Sequence, residues 1–570
     1  MPAGPIELSD VTVSEALQRL DSVYDAFTSR FLRGDVSLWV GSRVSDERYP
    51  NLWGLLARLL NELYDDALDP TDPDDTARQT IDSIVARAGV SGLDTAVRFS
   101  AWHETEQEAT LEALVNQYSA VFMTRYAPGG TVKDLVWDLL KVDELYDDPN
   151  IKPDAEHRLV ALLVTEGVLT EVVTPNWDPL LEDAHAQVAD GTTVHPLRVI
   201  IRPTDFENTG SKPKLTKMHG CARAAHGDPA DRRFLVATDD HILHWMNDAD
   251  RKPIRDHLSH ILRCNAVLYI GLSGQDVNIQ SKHVERGLEV RGDYYPGAPR
   301  VLFSGGDLDD TREAVLRAAY GADTYNDHYD DIRDHALVTL YAKPLLAALY
   351  LCVLREKLRT SASKVPLAYR GLAEAGVDAL AQGVASAADS IADADARWRF
   401  VSSAVARYVG SFVRVYREGA KAESEWDYTP FSAATPEHTD PVPRLTLLIG
   451  ILTEGQRRGY WTFELTPDAP EQLRLRVPTG GTVPVYVVCD NWVSPQLPML
   501  ADAPLGAPYV VFHATGTSVS TRAPATPSMA HLLRSAAPAP DDLYLDDWTR
   551  AGADPVDLLR QDLQARALAA

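Results

Sequence analysis

Cysteine is scarce in this chain. Four residues of 570 carry a thiol, Cys221, Cys264, Cys352 and Cys489, and none forms a C-x-x-C pair. That spacing excludes a local zinc ribbon and a dithiol redox motif, so no metal site is expected, and a reducing cytoplasm is the setting it fits. Long apolar runs are lacking too. The longest, PLLAALYLCVL at 344–354, is closed by Lys343 and Arg355 and is too short to cross a bilayer as a helix. No basic segment followed by an apolar one opens the chain, so it reads as free of a secretory signal, and no membrane association is expected. Basic residues are in deficit, with 55 Lys and Arg against 82 Asp and Glu, a formal charge of −27. A general nucleic-acid coat, whose affinity comes from cations meeting phosphates, is disfavoured.

What is present is ordinary for a folded protein, with 45% apolar and 24% charged residues. Residues 13–32 have the three-and-four spacing of one amphipathic helix. VSLWVG, 36–41, reads as a strand ending in a glycine turn, GSRVS, and LWGLLARLLNELY, 52–64, as the next helix. Strand, glycine turn and helix in that order open an α/β nucleotide-binding unit. An acidic loop at 65–75 and helical patterns over about 76–160 form an insertion before the strands return. LTEVVT (169–174), LRVIIRP (197–203), KLTKMHG (214–220), AVLYIGLSG (266–274) and PRVLFS (299–304) read as strands, and ADTYN (322–326) as the one that closes the sheet. Helices follow from about 333 to 416. Beyond 425 the composition shifts to Pro and Thr, then to the strand-like WTFELT, LRLRV, VPVYVV and PYVVFH. The expected fold is α/β, a Rossmann-like, mostly parallel sheet with a helical insertion, plus a helical region and a C-terminal β-rich or α+β domain. Its units are an N-terminal helix at 1–33, the α/β domain at 34–332, a helical extension at 333–425 and the last domain at 440–570, with a Thr/Ser/Pro linker at 515–528 and an acidic tail.

Four polar clusters sit just past predicted strand ends, the usual crevice of an open sheet. Gly41-Ser42-Arg43-Val44-Ser45 could form an anion nest from turn amides, or simply a tight strand–helix connection. In Thr174-Pro175-Asn176-Trp177-Asp178 an Asn can orient water or a ribose hydroxyl and an Asp can stabilise a developing cation; an Asn-Asp cap on the following PLLEDA helix accounts for them equally well. His219, in Met218-His219-Gly220, is the side chain best matched to proton transfer near neutrality, although a lone His is more often structural. Gly271, Ser273, Asp276 and Asn278 follow the fourth strand and suit ribose or phosphate oxygens.

Taken in order, VTPNWD, TKMHG and YIGLSGQDVN, with LWVGSRVS before them and LRAAYGADTYN after, resemble the sirtuin-like domain of bacterial antiphage defence proteins over about 34–330. The resemblance implies an NAD hydrolase that releases nicotinamide and ADP-ribose without a metal, depleting NAD once infection activates it. It implies Asn176, His219 and Asp178 as catalytic, with Asn176 positioning water or the nicotinamide ribose, Asp178 at the nicotinamide end and His219 as acid–base. It implies Gly41, Ser42 and Ser45 over the phosphates, and Gly271, Ser273, Asp276 and Asn278 at the adenosine half. It further implies a homo-oligomer, or a defence partner such as a hexameric ATPase or a short Argonaute. Protein deacylases of this kind carry a Gly-Ile-Pro-Asp-Phe-Arg stretch, a Gln where Pro175 stands, and a four-cysteine zinc module. This chain has none of the three, and Arg43 is unusual in the opening loop. The competing reading is a non-enzymatic nucleotide-binding or sensor subunit of a defence complex with a nuclease or ATPase.

Overall fold

The computed structural model describes residues 11–189, 196–207, 210, 213–272, 277–289, 299–410, 413, 428–431, 442–464, 473–478, 481–488, 510–513, 541–545, 549 and 552–569. Seven strands form the main sheet: β1 (Val36–Val40), β2 (Glu171–Thr174), β3 (Arg198–Ile200), β4 (Lys214–Lys217), β5 (Ala266–Ile270), β6 (Val301–Ser304) and β7 (Leu337–Val338). Their order is β3-β4-β2-β1-β5-β6-β7, and every neighbouring pair is parallel. This is the expected α/β, Rossmann-like architecture. The near-continuous apolar strands are explained by burial on both faces. Val36, Leu38 and Val40 of β1 enter one core, while Trp39 enters another with Val173, Val267 and Tyr269.

Topology places the crevice. From β1 the chain passes to β2 on one side, builds β3 and β4 outward, then crosses back to pair β5 with the free edge of β1. The carboxyl ends of β2, β1 and β5 therefore meet where the winding reverses, the point at which open α/β sheets bind ligands.

Between β1 and β2 lie the helices Leu52–Asp66, Thr76–Ala88, Glu104–Val115 and Ala155–Thr165, among shorter turns. Leu56, Leu59, Ile84, Leu114 and Val121 give much of this layer its own core. After β7, the helix Ala342–Ala362 carries the apolar run seen in the sequence and is buried along most of its length. Among the described residues, no helix is long and apolar enough to cross a membrane. A second sheet, ordered β12-β11-β10-β9-β8, contains β8 (Thr462–Glu464), β9 (Leu473–Arg476), β10 (Thr482–Val488), β11 (Val510–His513) and β12 (Asp541–Tyr544). Its first three strands are antiparallel and its last three parallel. Helices Val442–Arg457 and Pro555–Ala569 contribute Leu448, Ile451, Leu559 and Leu563 to the core it shares with Trp461, Leu475 and Val483. The 515–528 stretch lies outside the described residues.

Two sequence expectations are corrected. The single helix over 13–32 is two, Val13–Leu20 and Asp25–Leu32. Between them Asp21 is drawn into an ion pair with Arg355, and the Ser22 hydroxyl donates to the Gln18 carbonyl (2.7 Å), a local bond that competes with helix continuation. ADTYN is helix, Ala322–Asp327, and the strand beside β6 is Leu337–Val338. The Thr and Tyr of that segment suit a strand by propensity, but Tyr325 is buried and its ring packs edge-on against Tyr329 at the start of the next helix.

Candidate functional site

Each strand end of the crevice delivers a side chain by a different local device. After β2 the backbone turns at Thr174, whose hydroxyl donates to the Val40 carbonyl (2.7 Å) and accepts from the Asn176 N–H (3.0 Å). Asn176 is thereby aimed at β1, where its amide donates to the Gly41 carbonyl (3.1 Å) and lies 3.5 Å from the Ser45 hydroxyl. The approach of β1 and β5 leaves no room for a side chain at residue 41: a Cβ there would lie 2.3 Å from the Gly271 carbonyl oxygen. At the end of β4, Gly220 adopts φ +85° and a Cβ would meet the Phe234 carbonyl at 2.6 Å, so glycine is required directly after His219. The Val236 N–H donates to the His219 carbonyl (3.2 Å), and the Asn278 amide donates to its Nε2 (3.2 Å).

Asn176, Asp178, His219, Ser42, Ser45 and Gly271 line one cavity of about 340 Å³. Gly41 is not among the lining residues, being packed against Gly271, and Asn278 stands behind His219. Ser273 and Asp276 lie outside the described residues. Asp178 Oδ1 accepts from the Leu180 N–H (3.2 Å) at the start of the next helix, and the residue also borders the cavity.

The cavity is organised by residues that the motifs did not single out. His157, fully buried, accepts the Asp154 N–H on Nδ1 (3.2 Å), so Nε2 carries the proton and donates to the Ser45 hydroxyl (3.2 Å). Burial pushes the His157 imidazolium down to about 3, which keeps this ring neutral. The Ser45 hydroxyl is also among the groups that lower the Asp178 carboxyl. Burial raises that carboxyl; Lys217, the Leu180 N–H and Ser45 pull it back. An aromatic wall faces this chain: Tyr49 stacks on Tyr146 (5.1 Å between centroids), and Tyr146 meets Trp177 edge-on (5.6 Å). The Asp-x-x-His start of the helix before LTEVVT was the visible signal for His157. No local signal marked the tyrosines.

A second cavity of about 380 Å³ adjoins the first and shares Arg43 and Gly271 with it. It continues along the sheet over Ser304–Asp307 after β6, and its outer wall is Tyr341–Pro344 and Trp398. Lys343 reaches Glu47 (3.2 Å), Asp395 (3.7 Å) and Glu156 (3.8 Å). Glu156 is buried with one carboxyl oxygen unpartnered, and desolvation, opposed by Lys343, pushes it up to about 7. The two cavities differ in lining: the first carries aromatic rings and strand-end polar groups, the second ionic groups with Gly271, Gly305 and Gly306.

Residues 170–325 match the family model of the SIR2-like domain. The matched stretch runs from β2 to the Ala322–Asp327 helix and contains Asn176, Asp178, His219 and Gly271. β1 and its Gly41–Ser45 turn lie outside it in sequence but between β2 and β5 in the sheet. No curated protein matches the chain. A match to the SIR2-like domain suggests an NAD-related function.

Proposed function

We propose that the chain hydrolyses NAD at the nicotinamide–ribose bond, releasing nicotinamide and ADP-ribose. The observation that carries this reading is the convergence of Asn176, Asp178 and His219, from the ends of β2 and β4, on one cavity at the reversal point of the sheet. Nicotinamide leaves as a neutral ring, so the barrier is the positive charge that grows on the ribose. A carboxylate at Asp178 and the oriented Asn176 amide stabilise that charge. The His157–Ser45 hydrogen bond fixes the Ser45 hydroxyl beside the Asn176 amide before the reaction begins. His219, held from behind by the Asn278 amide on Nε2, is the acid–base group that exchanges a proton with water or a ribose hydroxyl. Tyr49, Tyr146 and Trp177 supply an apolar wall on which a planar base can pack.

The residues present fit the rest of the dinucleotide. Turn amides around Gly41, and Arg43 between the cavities, suit a pyrophosphate; the second cavity suits adenosine. In this reading Gly41, Ser42 and Gly271 serve phosphate and ribose oxygens, while the Ser45 hydroxyl serves Asp178. The resemblance to defence proteins supports a role in antiphage defence by NAD depletion, with the activity held back until a trigger, in the cytoplasm, as a homo-oligomer or with a partner protein.

Nicotinamide release from NAD by the purified protein, under activating conditions, tests the reaction. Wild type should turn over, and His219→Ala and Asn176→Ala should each lose at least about 100-fold in kcat. Protein that binds ADP-ribose but never releases nicotinamide would instead be the nucleotide-binding sensor.

A further inference from the structure

Lys217 has no part in the reaction as described, yet its side chain is fully buried directly beneath the catalytic loop. It is the last residue of β4. Its ammonium donates to the Asp178 carbonyl (2.5 Å) and to Glu182 Oε1 (2.8 Å), and reaches the Trp177 carbonyl (3.4 Å). Three protons thus meet three acceptors, and the ion is satisfied. Two of those acceptors are backbone carbonyls of the irregular Thr174–Pro179 segment, which also takes the Ala222 N–H on Trp177 (2.9 Å) and the Met218 N–H on Thr174 (3.0 Å). Stability alone does not call for a charge here, because a buried ion pair is commonly matched or bettered by well-packed apolar side chains. What an ammonium adds, and a methylene chain cannot, is positive charge beside Asp178.

We propose that Lys217 is a positioning residue for the reaction: its buried ammonium holds the Asn176–Asp178 loop in place through the Trp177 and Asp178 carbonyls. The assignment rests on the NAD-hydrolysis reading of the same site. The groups that interact with Asp178 are Lys217 from β4, Ser45 and Tyr49 from the turn after β1 and Tyr146 from the helical layer; Glu182 and Cys221 interact with Lys217, and Asp46 and His219 line the same cavity. Among the interactions that lower the Asp178 carboxyl against its burial, Lys217 leads. Burial alone would pull the Lys217 ammonium down, but Cys221, Glu182 and Asp178 outweigh it and the ammonium is held above its usual value. It therefore stays charged across the range in which Asp178 titrates.

The experiment measures kcat against pH for wild type, Lys217→Met, Lys217→Arg and Glu182→Gln, with nicotinamide release as the readout. In parallel, Asp178 is titrated by infrared difference between each protein and its Asp178→Asn counterpart, which needs no turnover. Loss of the cation should move the acid limb of kcat and the Asp178 titration upward by about one unit or more. KM for NAD should change little, and Lys217→Arg should return both toward wild type. Glu182→Gln frees the ammonium from its other carboxylate and should move both downward. A Lys217→Met protein with a lower Tm but an unchanged limb and Asp178 titration would overturn the proposal, leaving Lys217 as packing. Should Lys217→Met not fold, an Asp178 titration unmoved by Glu182→Gln overturns it equally. Wild type that binds ADP-ribose without releasing nicotinamide defeats the hydrolysis reading alone, and the infrared titration still decides the role of Lys217.

Discussion

Glu156 and His157 are sequence neighbours with opposite electrostatic fates. Both are buried, and burial disfavours the charged form of each, so the carboxyl rises to about 7 and the imidazolium falls to about 3. Because the folded Glu156 carboxyl lies above its ordinary value of 4.5, its contribution to stability is complete below that pH and is lost as pH rises through about 7. Glu156→Gln should therefore melt higher than wild type at pH 8, by at most about 3 kcal/mol, with the gap closing toward pH 5. A gap independent of pH in differential scanning fluorimetry would refute this. Gly41 tests the β1–β5 approach. Its Cβ would press on a backbone oxygen that cannot swing aside, so Gly41→Ala should lose about 1–3 kcal/mol of stability and weaken ADP-ribose binding in calorimetry. Asn176, Asp178 and His219 were legible as candidates because each stands at a predicted strand end. Ser45 was legible as part of the glycine loop, but its bonds to His157 and Asn176 span 112 and 131 positions, and His157 and Lys217 enter only through such contacts, those of Lys217 spanning 35 to 40.

At the scale of elements, strand-like segments announced β1 to β6, most plainly the apolar runs of β1 and β5, since a strand buried on both faces needs such a run. β7 has two residues and no run to detect, and the helix at 322–327 is decided by what Tyr325 packs against. The outer wall of the second cavity comes from the segment after β7 and from the helix Ala394–Arg399, both beyond the 170–325 match. If that cavity receives adenosine, Trp398→Ala and Lys343→Met should raise KM for NAD by about tenfold with kcat within twofold, the pattern of lost ground-state binding. Steady-state kinetics that show kcat falling instead would place these residues in the chemistry rather than in binding.

Across the whole molecule, one buried carboxylate joins the layers. Glu166, at the end of the helix that leads into β2, accepts from Lys357 Nζ (2.7 Å) of the long helix after β7, from the Tyr428 hydroxyl (2.5 Å) and from the Phe431 N–H (3.2 Å). Tyr350 adds its hydroxyl to Tyr428 (3.0 Å). Glu166→Ala strips four groups of their shared acceptor or its neighbour, and should cost about 3 kcal/mol or more in chemical denaturation. The net charge of −27 acts at this scale as well. An anionic dinucleotide approaches against the mean field, so its binding has to be won locally by turn amides, Arg43 and Lys343.

Composition, run length and the residues at strand ends were enough to determine an α/β sheet and to point at its carboxyl edge, because burial on two faces and exposure at strand ends leave marks within a few residues. Which strands become neighbours left no such mark. The crossing of β5 back to β1 set Gly271 against Gly41, brought Asn176 beside Ser45 and His219 beside Asn278, and let the extension wall the second cavity. Long-range pairing of this kind depends on the free energy of the whole packed sheet, not on any local segment, and so only the tertiary structure decided it.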